Sequence, residues 1–198
     1  MVAKLTKSES HTAKITGVIL AGGQGRRMGG VDKGLQRYRG KPLAQWAIER
    51  FAPQVDELLI NANQNADAYA AFGHRVVPDE LGGFAGPLAG LHAGMKAASG
   101  SLVATVPCDS PFLPGDLVAR LRAALAANDL AVAKTGAQPH PVFALVRRAV
   151  LPHLDAFLAG GGRKIDAWYA TLKVVEVAFD DEADAFRNLN TREELEGA

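Results

Sequence analysis

Cysteine is almost absent from this sequence. Cys108 is the only one in 198 residues, so no internal disulfide can form and a reducing compartment is expected. An excess of charge of either sign is absent too: 22 lysines and arginines face 21 aspartates and glutamates, a formal net charge of +1. That balance speaks against nucleic acid as a partner, which calls for a basic surface. No apolar run approaches the roughly 20 residues that a membrane-crossing helix needs. The polar, basic stretch 1–14 has no apolar centre of the kind a secretion signal carries. It is expected to be a disordered N-terminal extension, and the protein to work in the cytoplasm, away from membranes. Repeats and low-complexity segments are also missing. What remains is ordinary globular composition, 48% hydrophobic and 22% charged, with length for one domain over residues 15–198.

Glycine, by contrast, is concentrated. An apolar run at 15–21, rich in β-branched residues, suits a strand buried on both faces. Five glycines then fall within nine positions: Gly22, Gly23, Gly25, Gly29 and Gly30. Glycines at that density allow positive φ angles and close approach, so several N–H groups can converge on one anion. Arg26, Arg27 and Lys33 sit among and just after them, and such cations bind phosphate well. A strand, a flexible loop and fixed cations make a phosphate-binding loop, and a nucleoside triphosphate is the first ligand to consider. Two commoner phosphate motifs fail. Gly23-Gln24-Gly25 is followed by Arg26-Arg27-Met28, which lacks the third glycine of a dinucleotide fingerprint, and Gly30 is followed by Val31-Asp32 rather than the Lys-Ser/Thr of a P-loop.

Along the chain, apolar strand candidates alternate with helical patterns. Strands are expected at 57–61, 75–77, 101–106, 130–134 and 172–179, and helices at 43–51, 65–72, 87–99, 117–127 and 150–158. Segment 138–146 reads as extended or hairpin-like, because Pro139 and Pro141 argue against a central strand. Thr191 and Glu194 carry a capping box. This alternation implies an α/β fold, a Rossmann-like three-layer sandwich with a mostly parallel sheet. Ligands of such sheets bind beyond the carboxyl ends of the strands. The loop after Ala21, then Asn61, Asp79 and Asp109, all fall there, and one shared site is the expectation.

Asp109 is the strongest single candidate. It follows an apolar strand and stands between Pro107 and Pro111, which restrict the backbone. A hard oxygen ligand beside a triphosphate suits Mg²⁺, which binds through one or two carboxylates plus phosphate oxygens and water; a turn or helix-capping aspartate is the plainer alternative. Cys108 beside it reads as a packing residue. Asp79 precedes the glycine-rich 82–86 and could accept from both N1–H and N2–H₂ of guanine, or be a solvated loop aspartate. Arg147, Arg148, Arg163 and Lys164 are cations available to an anionic partner, with surface roles preferred for the first two. His140 could line the same cleft.

The stretch Leu20-Ala21-Gly22-Gly23, with Arg27-Met28-Gly29 and Lys33, resembles the signature of the molybdenum cofactor guanylyltransferases, whose core is shared with a wider nucleotidyltransferase family. The longer Met28-Gly29-Gly30-Val31-Asp32-Lys33-Gly34-Leu35 is similar to the guanylyl-transferring branch. The resemblance spans nearly the whole chain after the tail and implies a nucleotide-diphospho-sugar transferase-like fold. It implies nucleotide contacts at Leu20, Ala21, Gly22, Gly23, Arg27, Lys33, Asn61, Asp79 and Asp109, with Lys33 and Asp109 catalytic and Asp109 on Mg²⁺. The implied reaction transfers GMP from GTP to molybdopterin with release of pyrophosphate, in company with other cofactor-synthesis and molybdoenzyme maturation proteins. Arg163-Lys164 stands where the family usually has two arginines, which weakens bidentate phosphate recognition. Asn188 and Asn190 match an N-x-N-T pattern and read as second-substrate or structural residues. A sibling cytidylyltransferase, a sugar-phosphate nucleotidyltransferase and a non-catalytic nucleotide sensor remain alternatives at this point.

Overall fold

The structure is a computed structural model and describes residues 13–22, 32–80, 86–189 and 191–196. The extension before residue 13, the loop 23–31 with Gly23 and Arg27, the segment 81–85 and Asn190 lie outside the described residues.

The chain opens with β1 (Ile15–Leu20) and, after a 3₁₀ turn at Lys33–Leu35, a small hairpin of β2 (Arg37–Tyr38) and β3 (Lys41–Pro42). Then come α1 (Leu43–Phe51), β4 (Glu57–Asn61), α2 (Ala66–Ala70), β5 (Arg75–Val77), α3 (Pro87–Ala97) and β6 (Leu102–Pro107). The second half runs α4 (Leu117–Leu125), β7 (Leu130–Thr135), β8 (Gln138–Arg147), α5 (Leu151–Ala159), α6 (Ile165–Tyr169), β9 (Val174–Ala178) and α7 (Arg192–Glu196). Seven strands form one sheet in the order β5-β4-β1-β6-β8-β7-β9. Every neighbouring pair is parallel except the two that involve β8. Among the described residues no helix is long and apolar enough to cross a membrane.

Alternation along β1 explains the layers. Ile15 and Ile19 point into a cluster with Ala44, Ala47 and Phe51 of α1 and Leu117 and Leu121 of α4. Val18, on the other face, joins Leu88, Leu91 and Met95 of α3 and Leu154 and Leu158 of α5. Both faces of the strand are therefore covered, as its continuous apolar run required. The buried positions of α1 and α4 recur at helical spacing, so each lays one stripe on the sheet. A third, smaller cluster joins Tyr38 and Leu43 to Leu189, with Trp46, Phe112 and Leu195 against it, and fastens the C-terminal segment beside the hairpin.

The expectation for 138–146 needs correcting. β8 is not peripheral: it lies between β6 and β7. The prolines are accommodated because pairing with β6 spans only Ala144 to Arg147, whereas Pro139 and Pro141 come earlier. There β8 has β7 alone as neighbour, and the register shift at Val132/Ala133 drops residues 141–143 out of that ladder. Proline is thus confined to the part of the strand where a missing N–H breaks least. The hairpin at residues 37–42 is too short to leave a period in the sequence.

Helix α3 approaches the sheet through glycine. A Cβ at Gly94 would stand 2.7 Å and 3.0 Å from the two γ-methyls of Val18, a β-branched side chain with little freedom to turn away. Gly94→Ala is therefore expected to lower unfolding free energy by about 1–3 kcal/mol, the usual cost of an overpacked core. Urea unfolding followed by circular dichroism measures this.

Candidate active site

The register of the central strands creates the site. Leu20 pairs with Asn61 on one side and Pro107 on the other, and Asn61 pairs with Val77. The ladder runs slightly further, through Ala21 N–H to Asn61 O at 2.8 Å, Ala62 N–H to Val77 O at 3.2 Å and Cys108 N–H to Leu20 O at 3.2 Å. Four chain segments therefore leave the sheet at one level, and Gly22, Asn63, Asp79 and Asp109 follow within two residues of it. The expected meeting of Leu20, Ala21, Gly22, Asn61, Asp79 and Asp109 at the carboxyl edge is what the structure shows.

One half of the site is an amide–carboxylate cluster. Asn61 is buried, and its Nδ2 donates to Val77 O at 3.1 Å and to Asp79 Oδ1 at 2.8 Å. Asn63 Nδ2 donates to Asp79 Oδ2 at 2.8 Å, and the Asp79 N–H donates back to Asn63 Oδ1 at 2.8 Å. Close packing from two sides confines these amides. A Cβ at Gly22 would stand 2.9 Å from Asn63 Nδ2 and 3.1 Å from Asn61 Oδ1, and one at Gly90 on α3 would overlap Asn61 Oδ1. Glycine at both positions lets backbone approach where a side chain could not.

The other half is an ion pair. Lys33 Nζ lies 3.4 Å from Asp109 Oδ2, with side-chain exposures of 26% and 11%. Asp32 organises the turn that carries the lysine. Its Oδ1 accepts from Gly34 N–H at 3.2 Å and from the Tyr69 hydroxyl at 2.5 Å, and its Oδ2 accepts from Asn65 Nδ2 at 2.9 Å. Asn65 sits at φ +53°, a left-handed conformation that asparagine tolerates better than most residues, and it begins α2. Tyr69 is fully buried on that helix, and a Cβ on Gly34 would collide with its hydroxyl. Burial, and then the neighbouring Cys108 and Asp32, hold the Tyr69 phenol far above its ordinary value. Burial likewise pushes the Cys108 thiol up, with Asp109 and Asp32 adding to it and Lys33 opposing. Both groups stay protonated, so Cys108 is a packing residue, as expected, and the charges here belong to Lys33, Asp32 and Asp109.

The C-terminal segment braces this half. Ser110 Oγ donates to Asn188 Oδ1 at 2.6 Å, and Leu189 N–H to Asp109 O at 3.1 Å. Asn188 is thereby brought beside the site in a bracing contact. The capping box forms as expected: Thr191 N–H reaches Glu194 Oε2 at 2.9 Å, and Glu194 N–H reaches Thr191 Oγ1 at 3.2 Å. His140 also stands at the carboxyl edge, stacked on Phe186 at 4.6 Å with Nε2 2.8 Å from Thr135 Oγ1. Burial lowers its pKa, which favours the neutral ring.

The remaining cations divide. Arg147 bonds the carbonyls of Asn128 and Ala126, and Arg148 that of Met95, at the amino end of the parallel strands and away from the site. Their surface reading holds. Arg163 donates to Leu158 O at 2.8 Å and Gly162 O at 2.6 Å, so its guanidinium closes the end of α5. Lys164 is exposed one residue before α6.

Asn63, Asp32 and Tyr69 were not singled out from the sequence. Asn63 was legible as a second carboxamide one residue past Ala62, and Asp32 as a turn-capping type directly before Lys33. Tyr69 carried no signal, since its role depends on α2 folding back onto the turn. Tyr69→Phe removes a donor to an anion and is expected to cost about 1–3 kcal/mol in urea unfolding, with a parallel loss of turnover as the Lys33 turn loosens.

Comparison with known proteins agrees with this architecture. A family model described as the MobA-like NTP transferase domain matches residues 17–174. A protein named molybdenum cofactor guanylyltransferase from Burkholderia ambifaria (strain MC40-6) is 53% identical, over 95% of this chain and 97% of its own. One of the same name from Shewanella amazonensis is 52% identical, over 92% and 94%. Among solved structures, molybdopterin-guanine dinucleotide biosynthesis protein A of Archaeoglobus fulgidus matches with a TM-score of 0.75 at 24% identity, covering 92% of this chain and 95% of that one. A 4-diphosphocytidyl-2C-methyl-D-erythritol synthase of Anaerococcus prevotii matches with a TM-score of 0.72 at 14% identity, over 93% and 94%, a likeness of fold.

Proposed function

Because the chain belongs to the MobA-like NTP transferase family, with relatives named molybdenum cofactor guanylyltransferase, we propose that it transfers GMP from GTP to the terminal phosphate of molybdopterin. A phosphate oxygen of the pterin attacks the α-phosphorus of GTP, the bond from that phosphorus to the β-bridging oxygen breaks, and pyrophosphate leaves. The product is a molybdopterin guanine dinucleotide. The observation that carries the reading is the Lys33–Asp109 pair at the carboxyl edge, level with the Asn61–Asn63–Asp79 cluster.

A phosphate monoester is largely ionised at neutral pH, so the attacking oxygen needs no dedicated base. Rate then depends on positioning and on neutralising the charge that develops. Lys33, held by the Asp32-capped turn, offers its ammonium to the α-phosphate. The backbone from Gly22 and Gly23 onward, with Arg27, retains the pyrophosphate. Asp79 offers two carboxylate oxygens to guanine N1–H and N2–H₂. Arg163, Lys164, Asn188 and Asn190 are the residues offered to the pterin phosphate, Lys164 as an exposed cation and Arg163 and Asn188 through the backbone and Ser110 they brace.

Magnesium fits this donor set. Among the described residues no three acidic, histidine or cysteine side chains gather as a metal cage, and magnesium commonly needs only one or two carboxylates beside phosphate oxygens and water. Asp109 would hold it, with Lys33 on its Oδ2 beside the bound ion. The ion would supply charge neutralisation at the α-phosphate.

Asp109→Ala is expected to keep the fold and lose about 10²- to 10³-fold in kcat, the usual loss for one preorganised electrostatic partner. Pyrophosphate release, with mass analysis of the pterin product in GTP, CTP and UTP, measures it. A product carrying CMP or UMP would redirect the assignment to a sibling enzyme. Lys33→Ala is expected to lower kcat more than GTP affinity, because backbone amides still grip the triphosphate. Unchanged kcat with weaker GTP binding would make Lys33 a ground-state anchor only.

A further inference from the structure

We infer that Asn63 is a specificity-setting positioning residue: it fixes the carboxylate of Asp79 so that both oxygens face one edge of the nucleobase. The inference rests on the reading of Asp79 as the guanine-accepting group and adds to it the residue that makes two-point acceptance possible.

The geometry is a three-point clamp. Asn63 grips residue 79 twice, with Nδ2 on Oδ2 and Oδ1 on the backbone N–H, both at 2.8 Å. Asn61 holds Oδ1 at 2.8 Å. A carboxylate with only one oxygen held can still swing its plane about the bond to Cβ. With both oxygens and the backbone held, it cannot. Each oxygen of a carboxylate has room for two donors, and the described residues fill one on each, so among them one acceptor position per oxygen is left over. Two acceptors side by side in a fixed plane suit two adjacent N–H donors, as on the N1–N2 edge of guanine. Hypoxanthine presents only one donor on that edge and has no use for the second oxygen.

The two asparagines differ in what else they do. Asn61 is 2% exposed, bonds Val77 O, and packs against Leu20 and α3 at Gly90, so its loss disturbs the core. Asn63 is exposed. Its carboxamide contacts residue 79 and lies beside Gly22, and among the described residues its hydrogen bonds go to residue 79 alone. An exposed side chain that makes two bonds to one residue gives up rotamer freedom for modest net gain in water. Orienting the Asp79 carboxylate is what that ordering achieves.

The experiment compares kcat/KM for GTP and ITP in wild type, Asn63→Ala, Asn63→Asp and Asp79→Asn, by pyrophosphate release with molybdopterin. Asn63→Ala is expected to lower kcat/KM for GTP by about tenfold, the equivalent of one well-made hydrogen bond. Its kcat/KM for ITP is expected to stay within about threefold and its kcat at saturating GTP to be nearly unchanged, since the clamp touches no reacting atom. Asn63→Asp keeps the acceptor for the Asp79 N–H but sets a carboxylate against a carboxylate, and its GTP/ITP ratio is expected to fall at least as far. Equal losses for both nucleotides in Asn63→Ala, or an unchanged ratio, would overturn the inference. Asp79→Asn separates the two levels. If its GTP/ITP ratio is unmoved, the base-reading role of Asp79 fails and this inference with it. If Asp79→Asn shifts the ratio and Asn63→Ala does not, Asp79 reads the base without help from Asn63.

Discussion

The in-register parallel pairing of β1 with β4 and β6 is the constraint on which the rest depends. Parallel strands bring their carboxyl ends to one side, so loops that are far apart in sequence start from the same level. Leu20 in register with Asn61 and Pro107 sets the amide cluster on one flank and Asp109 on the other. A slip of one residue would turn every side chain of β1 to the opposite layer, exchanging the partners of Ile19 and Val18. Burial on both faces forbids that slip. The same packing that stabilises the core therefore aligns the chemistry.

Around that edge, protonation is arranged by burial. Tyr69 sits beside Asp32, and Cys108 beside Asp109 and Asp32; both are held in their neutral forms by desolvation first and then by those negative neighbours. A thiolate or phenolate here would add anionic charge beside the carboxylates of Asp32 and Asp109. With both neutral, Lys33 pairs with Asp109 while the carboxylate of Asp32, which caps its turn, is fixed by neutral donors: the Tyr69 hydroxyl, the Asn65 amide and the Gly34 N–H. The lysine is thus presented from a rigid turn, and the part of the chain that follows the glycine-rich loop is anchored to α2.

How much of this was legible follows from the range of each interaction. The strands at 57–61 and 75–77 and the helix at 43–51 match the structure residue for residue, because buried apolar runs and helical stripes are local patterns. Asp79, Asn61 and Asp109 could be placed because a strand end is also locally visible. What escaped depends on contacts across the fold. Tyr69 acts only once α2 folds back onto the Asp32 turn, and Asn63 only once Asp79 arrives from the neighbouring strand. Pro139 and Pro141 argue locally against a central strand, since nothing local tells that the pairing with β6 stops short of them. Arg163 looked available for a phosphate until α5 was seen to end on its guanidinium.

The one antiparallel strand of the seven-stranded sheet explains how the second half of the chain reaches the carboxyl edge. β8 runs against β6, so its first residues, with His140 and the bulge at 141–143, reach the carboxyl edge while its last residues lie at the opposite end. The chain then returns through α5, whose C-terminal turn with Arg163 and Lys164 comes back toward the edge, and Tyr69's counterpart on this side, Tyr169, ties α6 to Pro141 O at 2.8 Å. The C-terminal segment closes the arrangement by bonding Asn188 to Ser110 and Leu189 to Asp109. The half of the sheet from β5 to β6 thus ends in Asn61, Asn63, Asp79 and Asp109, and the half from β8 to β9 brings separate segments to the same edge. Asp109, following β6 at the seam between them, is tied to segments on both sides: its carboxylate meets Lys33 and its carbonyl accepts from Leu189 N–H.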